Sequence, residues 1–195
     1  MLARSLFALA ALALASSSVH AAPVTINFNT LSGGNGSTFT SYSESGFTVT
    51  ATSGSVFDAI TPPGFIGDPA PSIYAFNGGV TVTENGGGDF DFTGVDLANF
   101  GDATGTYSIT GMLGASSVFS TSGNISGADG AFNLYGSSFS SDTIDSLVIH
   151  VTNSDTSNID NIGVNAVVTP EPSSLFLLAT GLAGAAGAIR RRVRV

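Results

Sequence analysis

Asp89 and Asp91 sit two residues apart in the run Asp89-Phe90-Asp91-Phe92. On a β-strand this spacing puts both carboxylates on one face with Cα atoms about 6.8 Å apart, a separation at which paired carboxyl groups can do general acid–base work. A polar outer face opposite Phe90 and Phe92 explains the pair equally well, and nothing beside it suggests a shielded cleft that would split the two pKa values. Of the two histidines, His20 lies near the start of the chain, and His150 alternates with Leu147, Ile149 and Val151. No His-based metal cluster can form in the middle of the chain, and a Ser-His-Asp triad would have to use His150 with no Gly-x-Ser-x-Gly elbow to present its nucleophile. Gly86-Gly87-Gly88 is followed by no Lys and opens no helix, so it reads as a turn between strands and not as a phosphate loop. The chain has no Cys, which excludes disulfides, thiolate metal sites and a Cys nucleophile. The expectation is a domain that is not an enzyme.

The elements that must position these groups are strands. Val24, Ile26 and Phe28 alternate with Thr25, Asn27 and Asn29, and Phe47, Val49 and Ala51 with Thr48, Thr50 and Thr52, as in half-buried antiparallel strands. Further strands are expected at 80–84, 89–93, 106–111, 117–121, 131–135, 144–151 and 158–167, separated by Gly, Asn, Asp, Ser and Pro clusters. Residues 57–71, with Pro62-Pro63-Gly64 and Pro69-Ala70-Pro71, read as a long surface loop because proline lacks the ladder donor. The expected core is Phe28, Phe47, Val49, Phe76, Val82, Phe90, Phe92, Tyr107, Ile109, Phe119, Phe132, Leu134, Leu147, Ile149, Ile159 and Ile162. Frequent turns between short strands predict an all-β fold, an antiparallel two-sheet β-sandwich of the jelly-roll kind.

Charge narrows the partners. The five basic residues are Arg4, Arg190, Arg191, Arg192 and Arg194, so no Lys or Arg lies between Arg4 and Arg190, while all fourteen carboxylates do. The folded part is a polyanion that repels nucleic acid and anionic headgroups and favours divalent cations.

The two ends read as addresses. Arg4, a short apolar run over 5–15, and Val19-His20-Ala21 have the layout of a secretory signal, with the mature chain beginning at Ala22. The apolar run is far shorter than the roughly 20 residues a membrane span needs. At the other end Pro170-Glu171-Pro172 precedes a Gly/Ala/Leu-rich stretch and an Arg cluster. As a helix, residues 173–189 would extend about 25 Å, marginally enough for a bilayer core. Arg190, Arg191, Arg192 and Arg194 would stay cytoplasmic as a stop cluster and leave the domain on the far side. The expected division is 1–21 signal peptide, 22–168 β-sandwich domain and 169–195 sorting signal.

That tripartite arrangement over 169–195 resembles the PEP-CTERM sorting domain of Gram-negative bacteria with exopolysaccharide-forming envelopes. The resemblance implies export by the general secretion machinery, removal of the signal by signal peptidase, and cleavage by an exosortase near Pro170 to Pro172. The membrane helix is then a transient tether, and the product ends at the cell surface or in the extracellular matrix. Within the domain, Phe90 to Leu97, Ser108-Ile109-Thr110-Gly111 and Asn158 to Val164 resemble strand signatures of galactose-binding-like carbohydrate modules. In those modules an acidic residue of the last strand often ligates a structural calcium with oxygen ligands near the first strand. Asp160 matches that position, with Asn27 as its partner; the first strand supplies no carboxylate.

The resulting expectation is a structural or adhesive component of the exopolysaccharide matrix, without cofactor apart from the calcium that the resemblance implies. The alternative is a carbohydrate-binding module that uses Tyr42, Tyr74, Tyr107 or Tyr135 in place of the missing Trp. A carboxylate-based hydrolase using Asp89 and Asp91 ranks third.

Overall fold

A computed structural model describes residues 19–20, 22–60, 71–100, 104–126, 131–152, 156–168, 178, 180–182 and 190. The chain divides into two units, Met1–His20 with Val168–Val195, and Ala21–Val167. In the first unit Val19–His20 form a two-residue strand (β1), and Leu178, Thr180, Gly181, Leu182 and Arg190 are helical. Among the described residues no helix is long and apolar enough to cross a membrane. Most of the span expected at 173–189, nearly all of the signal expected at 1–21, and the residues Pro170, Glu171, Pro172, Arg191, Arg192 and Arg194 lie outside the described residues.

The second unit is all-β, as the alternating pattern predicts. Its strands are β2 (Val24–Ile26), β3 (Ser41–Glu44), β4 (Phe47–Ala59), β5 (Ser72–Glu84), β6 (Phe90–Phe100), β7 (Thr106–Leu113), β8 (Ser116–Asn124), β9 (Asn133–Tyr135), β10 (Thr143–Ile144), β11 (Ser146–Thr152) and β12 (Thr156–Val168), with one 3-10 turn at Ser137–Phe139. The strands expected at 47–52 and 80–84 are longer than predicted, because β4 and β5 pair from Phe47↔Glu84 to Ala59↔Ser72. Phe57, Asp58 and Ala59, expected in the surface loop, end β4, while 61–70 lies outside the described residues.

These strands make one hydrogen-bonded sheet, with the path β10-β6-β12-β5-β11-β7-β8. The two separate sheets of the expected sandwich are not what forms. β5 is the reason: one of its edges pairs with β12 at Ile73, Tyr74 and Ala75 and then with β11 from Gly78 to Thr83, while β4 follows its other edge throughout. A strand that belongs to both halves cannot let them separate, so the sheet curls into a half-barrel around its core.

The curl is visible as a change in side-chain parity. Along β5 the apolar residues that enter the core are Ile73 and Ala75 and then Val80 and Val82; between them Asn77 has φ 46°. Along β6 they are Phe90 and Phe92, then Val95 and Leu97, with Gly94 at φ 145° between. Along β12 they are Ile159, then Ile162 and Val164, with Asn161 at φ 44°. In β4 the register with β5 slips between Ala51 and Ser53 and again between Ser53 and Ser55. Each irregularity works as a β-bulge, which bends the strand and moves its inward set by one residue. Two of the expected core residues are displaced in this way, and a third, Phe132, is only half-buried and lies outside the core cluster. Phe76 stands beside the Asn77 bulge and is 43% exposed, and Leu134 faces outward opposite Asp96 and is 61% exposed.

The core joins the two halves through aromatic pairs. Phe47 of β4 meets Phe90 of β6 edge-on at 5.4 Å between ring centroids, and Phe92 of β6 stacks on Phe119 of β8 at 6.1 Å. Phe119 in turn stacks on Phe139 at 4.3 Å. Such pairs add about 0.5–1.5 kcal/mol each beyond their buried area. Gly111, the cross-strand partner of Phe119, leaves the space the ring occupies, since a Cβ there would collide with Phe119 and Ile144.

Replacing Phe92 with Ala should cost about 3–5 kcal/mol of unfolding free energy. Gly111→Ala should cost about 1–3 kcal/mol by displacing the Phe119 ring. Urea denaturation of the purified protein reads both, and an unchanged midpoint for either variant would show that the stack does not hold the halves together.

Candidate functional site

Asp160 is buried in the middle of β12, 1% exposed, with Asp96 of β6 directly across from it. Its Oδ1 accepts the Asn161 N–H at 2.8 Å, and Asn161 Nδ2 donates to Asp96 Oδ2 at 3.1 Å. The bulge residue Asn161 thus bridges a cross-strand pair of carboxylates. Asn27 follows β2, whose Ile26 pairs with Ile162. Its Oδ1 accepts from the Asn29 N–H at 3.1 Å, and its own N–H donates to Glu44 Oε2 at 2.8 Å. Asn27 is therefore committed to its own turn, and the carboxylate that reaches the end of the first strand is Glu44. Among the described residues no three of His, Cys, Asp and Glu gather where they could hold a metal ion.

Asp89 and Asp91 are also unlike each other. Asp89 is exposed ahead of β6, while Asp91 is buried at 2% exposure and accepts the Thr143 hydroxyl at 3.0 Å. The glycine turn binds an anion of the chain's own: Glu84 Oε2 accepts the Gly86 and Gly88 N–H groups, each at 2.8 Å. His150 lies half-buried on the face of β11 away from the core, with Nδ1 3.4 Å from Thr152 Oγ1. Of the residues expected around the cleavage points, Val19 lies in β1, Ala22 is exposed, Ala21 is outside the described residues, and Arg190 is exposed.

Two buried groups were not singled out from the sequence. Asp58 is 6% exposed, covered by a loop whose Gly36 N–H donates to the Asp58 carbonyl at 2.8 Å and whose Ser37 carbonyl accepts the Asp58 N–H at 2.9 Å. Its carboxyl lies against Gly33, and burial raises its pKa above the ordinary carboxylate value. Asn158 is 1% exposed; its Nδ2 donates to Ser72 Oγ at 3.1 Å, and its Oδ1 has no hydrogen-bond partner among the described residues. An orphaned buried acceptor costs about 1–3 kcal/mol. Neither feature is visible in residue types, because both depend on what the curl lays over β4 and β12.

An open groove of about 350 Å³ lies over the end of β7 and β8, lined by Thr106, Tyr107, Ser108, Ser122, Gly123, Asn124 and Thr152. The lining holds hydroxyls, an amide and peptide groups and no carboxylate. Nothing in it can act as a general acid or base near neutral pH, but it can exchange hydrogen bonds with a polar ligand.

Residues 168–192 match the PEP-CTERM protein-sorting motif. No curated protein matches the chain. The fold is similar to the crystal structure of a DUF4465 family protein from Bacteroides caccae, at 10% identity and a TM-score of 0.51, over 73% of this chain and 98% of that one. At that identity the likeness extends to the all-β fold alone.

The raised pKa of Asp58 gives a testable pH dependence. A carboxyl whose pKa is higher folded than unfolded lowers stability as pH rises above its ordinary value, and has no effect where both states are protonated. Asp58→Asn should therefore raise the unfolding temperature at pH 7, and the gain should vanish below about pH 4. A variant less stable than the parent at pH 7 would overturn this account of Asp58.

Proposed function

We propose that this chain is a non-enzymatic envelope protein whose β-domain is released outside the inner membrane and serves as a structural or adhesive component of the polysaccharide matrix. The PEP-CTERM signal implies an exosortase as processing partner and export to the cell envelope or surface. One observation carries the rest of the reading: the motif begins at residue 168, where β12 ends. β12 is paired with β6, β5 and β2, so it cannot be cut without breaking the sheet. Cleavage at Pro170, Glu171 or Pro172 falls just past that strand, so removing the tail spares every pairing of the domain.

On this reading residues 1–21 are removed by signal peptidase, 22–168 is the mature domain, and 173–189 holds the precursor in the membrane until the exosortase acts. The layout of Arg4 and Val19-His20-Ala21 supports the first step, and the Arg-flanked apolar stretch supports the last. The meeting of Phe47 with Phe90 and of Phe92 with Phe119 joins the two halves of the curled sheet around one core, a scaffold suited to a structural role.

A carbohydrate-binding role is the second reading, and the open groove over β7 and β8 favours it. Hydrolysis is disfavoured by the placement of Asp89 and Asp91, one exposed and the other tied to Thr143.

Intact mass of the protein recovered from envelope and medium tests the processing. In the native host the mature species should lack the first 21 residues and everything after about Pro172; a strain without the exosortase should retain the tail. A tail retained in both strains would mean a permanently anchored protein and would sink the proposal. We further propose that the domain folds without a resident cation. Excess EDTA should leave its melting temperature within about 1 °C, because no linked binding energy is lost, whereas a drop of several degrees restored by calcium would reinstate the metal.

A further inference from the structure

The half of the sheet made by β3, β4, β5, β11, β7 and β8 has an unusual outer face. One row across it runs Ser41, Thr50, Thr81, Val148, Thr110, Ser120, each paired with the next. A second row begins Ser43, Thr48, Thr83, Ser146, and the rows toward the far end hold Ser108 with Ser122 and Thr106 with Asn124. At about 4.8 Å between strands, a six-strand row is about 24 Å wide. The side chains in it are exposed or half-buried, and the alternating residues beneath them, such as Val49, Val82, Leu147 and Ile109, are fully buried. Neighbouring hydroxyls are already oriented by one another, Ser43 with Thr48 at 2.8 Å and Thr110 with Ser120 at 3.1 Å.

Charge is what sets this face apart. The protein carries a net −9, yet these rows contain no carboxylate and no Lys or Arg, and His150 is their only ionisable group. An anionic polymer would be repelled by the rest of the domain and find no cation here to hold it. A protein partner, or a second copy of this chain, would find apolar side chains as single residues among hydroxyls, Val148 and Met112 in these rows and Phe76, Leu113 and Val118 exposed elsewhere on β5, β7 and β8; stable interfaces have an apolar centre. What matches a broad, uncharged surface of donors and acceptors interspersed with methyl groups is a polymer whose own surface is hydroxyls and C–H. The groove at Thr106, Ser108, Ser122, Asn124 and Thr152 is continuous with the face and gives it a concave part.

We propose that this face is a docking surface for an uncharged, hydroxyl-rich polysaccharide, with the groove over β7 and β8 as a concave subsite. The proposal rests on the reading that the domain works in a polysaccharide matrix and names the surface that would hold that matrix. Binding at any one hydroxyl is weak because water competes for it; affinity comes from many contacts engaged along one chain.

Depletion of the full chain, kept in mild detergent, by insoluble cellulose and by galactomannan beads tests this, with alginate beads as the anionic comparison. The wild type should be depleted by at least one neutral polymer and not by alginate. Thr110→Glu combined with Ser122→Glu should weaken that depletion about tenfold or more, the loss expected when one or two hydrogen bonds are replaced by a charge without partner. Ser32→Glu with Ser137→Glu adds the same charge at exposed positions off the face and should leave it unchanged. If the glutamate pair destabilises the fold, Thr110→Val with Ser122→Ala removes the hydroxyls alone and should still weaken binding. Wild-type binding that every face variant retains would overturn this site while leaving a matrix role standing. A wild type that ignores both neutral polymers, or prefers alginate, would overturn neutral-polysaccharide docking altogether, and the mass measurement on processed protein would then decide the envelope reading by itself.

Discussion

The exchange of neighbours along one edge of β5 is the constraint on which the fold depends. Over Ile73 to Ala75 the strand pairs with β12, and from Gly78 onward with β11. The two neighbours diverge there, and the backbone needs one residue out of phase, which Asn77 supplies with a left-handed φ of 46°. Asparagine tolerates that region better than most residues, and a β-branched residue would not. The other strands that change parity do so at comparable points, β6 at Gly94 and β12 at Asn161. The half-barrel is thus closed by a few bulges and then fixed by aromatic contacts across the core.

A domain without Lys or Arg has to settle its carboxylates by other means, and it does so with backbone amides. Glu44 accepts the Asn27 and Phe28 N–H groups where Phe28 takes a positive φ, Glu84 accepts the Gly86 and Gly88 N–H groups, and Asp145 accepts the Gly114 N–H at 2.6 Å. Charge-assisted bonds of this kind are about twice as strong as neutral ones, and each pins a turn or the end of a strand. The negative charge that makes the surface repulsive is, at these sites, also what orders the connections between strands.

Much of this was legible in the sequence, and the failures have a common cause. Period-two alternation located most of the strands and most of the core, Phe47, Phe90, Phe92, Leu147 and Ile149 among it. Where alternation was extrapolated through a bulge it failed: Phe76 has the parity of Val80 and Val82, and only the slip at Asn77 turns it outward. Leu134 failed similarly, because β9 pairs with β6 beyond the Gly94 bulge and presents Tyr135 opposite Val95. β3 was missed because Ser41-Tyr42-Ser43-Glu44 offers a single buried residue, Tyr42. The single curled sheet was unreadable for a deeper reason: it is a property of which edges pair, and pairing leaves no trace in composition.

The same distinction separates the two kinds of functional information in the chain. Addresses are read by machinery that meets a linear segment, so Pro170-Glu171-Pro172, the apolar stretch and the arginines carry their meaning in order and spacing alone. A docking face is assembled from strands far apart in the chain, and no stretch of sequence around Ser41, Thr81, Thr110 or Ser120 says that these residues share a row. The structure supplies the other half of the statement: among the described residues the carboxylates lie in turns, at strand ends or in buried pairs, and Ser or Thr fills most outward positions of β3, β4, β5, β7 and β8. Selection for a solvated surface has no need to keep charge off one side, since charge favours solubility. An uncharged face on a polyanion is therefore better explained by what it must touch than by what it must avoid.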